Sequence, residues 1–145
     1  MATIDFSGIP EILAELRRRG EGAEDVAQAM LNAGAAAAID SWRKTVDRLG
    51  LVKTGAMRES IGVTKASRRS RYREITANGK DKRGVRNAEK AFILHYGTSR
   101  IEPTYWWDTA EQEAEPLVMA AMKSVWEKWI ASQALPPDTT GDNQT

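Results

Sequence analysis

Apolar residues recur at helical spacing in three parts of the chain and alternate with polar ones in the stretch between. Residues 7–19 read as a short helix, with Ile9, Ile12, Leu13 and Leu16 on one face. Ser7 is placed to cap its first turn and Pro10 to tolerate its missing N–H there. Arg17, Arg18 and Arg19 sit in the last turn, where the helix dipole favours cations, and Gly20 ends it. A long helix over 23–48 carries Val26, Met30, Ala33, Ala37, Ile39, Trp42, Val46 and Leu49 as a stripe. Its Ala35–Ala38 run invites close approach of a neighbour.

The middle of the chain changes period. Thr54-Gly55 predicts a turn, Ala56–Ser60 a brief helical turn, and 61–66 and 71–77 two strands separated by basic residues. Asn78-Gly79 is a turn signal. Residues 80–89 have almost no apolar side chain and read as an exposed loop unable to order itself. Residues 91–96, Ala-Phe-Ile-Leu-His-Tyr, read as a buried strand or a strand edge packed on a helix, with Phe92 facing the core. A third helix is expected over 108–133, capped by Asp108, striped by Leu117, Ala121, Met122, Val125, Trp129 and Ile130, and bent or split by Pro116. The order predicts an α+β fold: a small, mainly antiparallel sheet packed by a long N-terminal helix and a C-terminal helix, with an extended basic β-hairpin or loop. Residues 1–135 form one domain in this reading, and 136–145, with two prolines and polar residues, a disordered tail.

Composition narrows the chemistry. The 145 residues contain no cysteine and one histidine, which excludes disulfides, thiolate catalysis and a multi-histidine metal site. There is no Walker A pattern and no Gly-x-Gly-x-x-Gly, and no cofactor is expected. His95 lies in an apolar segment and reads as a structural histidine rather than a catalytic base. Glu111, Glu113 and Glu115 read as a solvated helix start. No run is long and apolar enough for a membrane span, and the first ten residues do not have the pattern of a signal peptide.

A net charge of +1 conceals segregation. Residues 65–90 hold ten cations against three acids, a net +7, whereas residues from Glu102 onward hold two cations against eight acids, a net −6. The cations Arg68, Arg69, Arg71, Arg73, Lys80, Lys82, Arg83 and Arg86 are candidates for a solvated loop, a phosphate-contacting surface or a head-to-tail protein interface. Trp106 and Trp107 are adjacent and expected to point different ways, one into the core and one toward a partner. Trp42, Trp126 and Trp129 read as core or helix-packing residues.

Two segments carry a family resemblance. Thr54-Gly55-Ala56-Met57-Arg58-Glu59-Ser60-Ile61 resembles a Thr-Gly-x-Leu-x-x-Ser-Ile signature. Phe92–Ser99, with Tyr96-Gly97-Thr98, followed by Pro103, Trp106-Trp107 and Ala110, resembles a second one: an aromatic strand ending in Tyr/Phe-Gly-Thr, then proline, an aromatic and a helix beginning near a small residue. Both are features of the head–tail joining, neck, tail-completion and minor tail proteins of long-tailed bacteriophages. The resemblance spans roughly residues 23–130; Met57 replaces the usual leucine, Trp106-Trp107 a phenylalanine, and Thr109 a frequent proline. It implies a structural virion protein, not an enzyme. Such a protein assembles in the host cytoplasm as a homo-oligomeric ring of six, or alternatively twelve, copies. The ring sits at the head–tail junction among connector, tail-terminator and tail-tube proteins and lines or seals the DNA channel. The rivals are a non-specific nucleic-acid binder using residues 65–90 and a small hydrolase or transferase relying on His95.

Overall fold

The computed structural model describes residues 2–19, 23–68 and 70–134. Gly20, Arg69 and the 136–145 tail lie outside the described residues. The fold is α+β. In chain order it consists of β1 (Ala2–Ile4), α1 (Pro10–Arg19), α2 (Ala23–Arg48), α3 (Ala56–Ser60), β2 (Ile61–Val63), β3 (Arg73–Ala77), α4 (Asn87–Tyr96) and α5 (Trp106–Ala134). A 3-10 turn, Lys65–Ser67, follows β2.

The sheet is antiparallel with order β1-β3-β2. Ala2 stands opposite Ile75, and Ile61 opposite Ala77. Central β3 alternates, with Arg73, Ile75 and Ala77 buried and Glu74 and Thr76 half-buried. β1 was not expected: three residues are too few for an alternating pattern to stand out, and pairing with β3 is what makes them a strand.

Helix α2 lies in the middle, packed along α5 on one side and against all three strands on another. Gly34, Ala35 and Ala38 are buried at its middle, and the expected Ala33 and Ala37 are only half-buried. The face contacting α5 and the sheet therefore steps through Met30, Gly34, Ala38, Trp42 and Val46, four residues at a time. A Cβ on Gly34 would stand 3.0 Å from Met122 Cγ and 3.2 Å from an Ile4 methyl carbon, so glycine sets how closely α5 and β1 approach α2. Trp42 and Trp106, both fully buried, meet edge to face at 5.4 Å.

Several local expectations need correction. Helix α1 begins at Pro10, not residue 7, because the Ser7 N–H and hydroxyl both donate to the Asp5 carboxylate (2.9 and 2.7 Å), which folds Ser7 into a preceding turn. The first hairpin strand stops at Val63, where the 3-10 turn takes over. Residues 91–96 are helical: α4 runs through them, burying Ala91 and His95 and leaving Phe92 and Tyr96 each 54% exposed. Phe92 consequently faces solvent instead of the core. Helix α5 starts at Trp106, so Asp108 is inside it and is not its cap. The helix continues through Pro116, and Leu117 and Leu49 are exposed.

Candidate assembly surface

The two resemblance segments pack side by side, since α3 rests on α4. Each is built on a backbone shape that favours glycine. Gly55 has φ +88° and opens α3, with the Thr54 hydroxyl accepting the Ala56 N–H (3.3 Å). The Ser60 hydroxyl donates to the Met57 carbonyl at 2.6 Å, and Ile61 is buried as β2 begins. Gly97 has φ +76° and ψ −179° at the end of α4. A Cβ there would lie 2.5 Å from the Ile101 carbonyl oxygen and 2.7 Å from the Pro103 nitrogen. Thr98 closes this turn: its hydroxyl accepts the Arg100 and Ile101 N–H groups, both at 3.1 Å. The turn leads out of a helix, not out of the strand expected over 91–96.

Beyond it the chain returns along α4. The Thr104 and Tyr105 N–H groups donate to the Leu94 and His95 carbonyls at 3.0 Å, satisfying the end of the helix. Tyr105 holds φ +51°, an uncommon backbone state for a non-glycine residue. His95 is buried, and its Nδ1 accepts the Trp107 N–H at 3.2 Å. The rings of Tyr96, Tyr105 and Trp107 surround it at 4.3–5.6 Å. The result is an aromatic ridge of Phe92, Tyr96 and Tyr105 over the buried His95, each ring residue between 52 and 54% exposed, and Ile101 in the preceding turn is exposed as well. Sequence reasoning missed this ridge; the i, i+4 spacing of Phe92 and Tyr96 was the available signal.

The tryptophans are not part of it. Trp106 is fully buried and donates its indole N–H to the Ala91 carbonyl (3.1 Å), and Trp107 is 7% exposed. Both are core residues; neither is an interface side chain. Helix α5 turns the pair into neighbouring inward positions, where an extended chain would have sent them opposite ways.

The basic segment is not one arm. Arg73 is 2% exposed and points inward from β3. Its guanidinium donates to the Ser67, Ser70 and Tyr72 carbonyls (2.9–3.2 Å), to Asn32 Oδ1 (3.1 Å) and to Gln28 Oε1. It ties the β2–β3 connection to α2. Of the remaining cations among the described residues, Arg68 and Arg71 flank that connection, while Lys80, Lys82, Arg83 and Arg86 lie past the other end of β3. The strand separates the two groups by roughly 14 Å. All six are exposed.

The second basic group is ordered by polar bonds, which the absence of apolar residues had concealed. Asp81 accepts the Arg83 and Val85 N–H groups (2.8 and 2.9 Å) and pairs with Lys90 at 2.6 Å. The Lys90 ammonium, with those N–H groups, lowers the Asp81 carboxyl to about 2. A bridge between Lys80 and Arg86 and the Asn87 amide bond to the Asn78 carbonyl (2.9 Å) close the loop. Val85, 38% exposed, stands on the shoulder of the loop between Arg83 and Arg86, its carbonyl accepting the Asp81 N–H at 2.9 Å.

The acidic counterpart is a groove of about 300 Å³ between β1 and α5. Val118, Met119 and Met122 line it on α5, and Asp5, Glu111 and Glu115 add carboxylates; no lysine or arginine lines it among the described residues. Burial pushes the Glu111 carboxyl above its usual range, against the positive charge of the chain's amino terminus and with a smaller push from Asp108. Glu113 faces elsewhere: it accepts the Thr45 hydroxyl (2.7 Å) and pairs with Arg48, and both hold its carboxyl below the usual range.

Among the described residues, no group of three or more His, Asp or Glu side chains is arranged to hold a metal ion, and no helix is long and apolar enough to cross a membrane. Comparison with protein-family models, with curated proteins and with solved structures finds no match to this chain.

Proposed function

We propose that this chain is a structural subunit of a tailed-phage particle, a neck or tail-completion protein that forms a ring joining head to tail around the DNA channel. The reading rests on the two resemblance segments. The observation that carries it is that each depends on a glycine-favouring turn, and that these segments, far apart in sequence, pack together as α3 and α4. The ordered consequence is the aromatic ridge, an exposed apolar surface of the kind that marks protein contacts. A sixfold ring is favoured, with connector, tail-terminator and tail-tube proteins as neighbours. Quantitative peptide mass spectrometry of purified tailed particles that encode the chain tests this. Six or twelve copies per particle are expected, and none in the particle refutes the proposal.

A second reading, a non-specific nucleic-acid binder, is favoured by the six exposed cations. It requires retention of DNA that falls steeply with salt. Equal retention by the chain and by a variant with Arg68, Arg71, Lys82 and Arg83 neutralised removes it.

A further inference from the structure

The loop closed by Lys80 and Arg86 and the groove between β1 and α5 are opposite in charge. In each, an apolar element stands beside the charged ones. On the loop, Val85 stands between Arg83 and Arg86 and is exposed with them. Asp81 does not cancel their charge, because Lys90 already pairs with it. The groove offers Val118, Met119 and Met122 beside the carboxylates of Asp5 and Glu115. Its 300 Å³ is space for about ten waters. That suits one apolar side chain with its flanking backbone, not a folded domain.

We infer that the occupant of this groove is the 80–86 loop of a second copy of the chain. Val85 enters against Met119 and Val118, and Arg83 and Arg86 meet Glu115 and Asp5 at the rim. The contact rests on the ring reading above and gives it a direction. Loop and groove are different surfaces, so the contact is heterologous: each copy donates its loop to one neighbour and receives one from the other. Such contacts close into rings when the rotation between copies permits. Opposite charge selects this pairing over loop-to-loop or groove-to-groove encounters, which bring like charges together. The loop arrives already shaped by the Asp81 bonds, so little ordering opposes docking.

The absence of native cysteine allows a direct test. Val85→Cys and Glu115→Cys, both at exposed positions, are combined in one full-length chain at high concentration under mild oxidation. A ladder of disulfide-linked multimers is expected. Val85→Cys with Val52→Cys, also exposed, serves as the control for random collision. Charge reversal gives a second readout by sedimentation. Arg83→Glu with Arg86→Glu should move the assembly midpoint to about tenfold higher concentration, and adding Glu115→Arg should restore at least part of the loss. A ladder no stronger than the control, with no rescue, overturns the contact. If multimers still form in that case, the ring reading stands and a different surface joins the copies. If the chain neither multimerises nor occurs in particles, both fall.

Discussion

Replacing Gly97 by alanine tests the backbone logic of the second resemblance segment. At φ +76° and ψ −179° this residue occupies a region almost confined to glycine. The conformational strain for alanine is about 1–3 kcal/mol. The added methyl would meet the Ile101 carbonyl oxygen at 2.5 Å, the Pro103 nitrogen at 2.7 Å and Pro103 Cδ at 2.9 Å. Two of these atoms are backbone, so relief requires moving the 101–105 return, and overpacking of this kind adds about 1–3 kcal/mol. The sum is about 2–6 kcal/mol, or roughly 5–20 °C in melting temperature for a domain of this size. Gly55→Ala is the internal control: its φ is +88°, yet nothing lies within 4 Å of the new methyl. It should cost only about 1–2 kcal/mol. Urea unfolding followed by tryptophan fluorescence compares the two, with the slope checked for constancy. A Gly97→Ala variant no less stable than Gly55→Ala would refute the reasoning.

Other outcomes follow from the same geometry. Arg73→Ala should lose about 3 kcal/mol, because it removes five hydrogen bonds at a buried position and leaves the Tyr72 carbonyl and the Asn32 and Gln28 side-chain oxygens without that donor, while the Ser67 and Ser70 carbonyls keep the Ser70 N–H and the Gln28 amide; Arg73→Lys should recover little of it, and chemical denaturation measures both. If Arg73→Ala is as stable as the parent, the buried network has been misjudged. Asp81→Asn should loosen the 80–86 loop at neutral pH, seen as faster hydrogen exchange of the Val85 amide. The Asp81 carboxyl is lowered in the folded chain, so its contribution is complete above pH 4 and disappears as pH falls toward 2, where variant and parent should converge. Gly34→Val should destabilise by about 1–3 kcal/mol through collision with Met122 and Ile4, and an unchanged thermal midpoint would contradict that close approach.

Long helices were legible because their apolar stripes run for many turns: the expected 23–48 helix matches Ala23–Arg48 to the residue. The hairpin was legible from alternation, although it is shorter than expected. The segment 91–96 was misread because Phe-Ile-Leu is apolar without a visible period, and short apolar runs fit strand or helix equally. That one error put Phe92 inside and hid the ridge. The basic residues looked equivalent in sequence, yet β3's alternation buries Arg73 and exposes its neighbours. The tryptophan pair was misjudged for a related reason, since helix α5 starts two residues before the expected cap. Gly97 was identified as a turn, but the backbone crowding that restricts it to glycine arises only when Pro103 folds back on it. The groove was invisible because it needs β1, a strand too short to leave a pattern.

Electron cryomicroscopy of tailed particles carrying this chain tests the central claim most directly. Density for this fold is expected to repeat around the axis in a closed ring at the head–tail junction, with the 80–86 loop of each copy seated in the β1–α5 groove of the next. Particles whose junction contains no copy of the fold would contradict it.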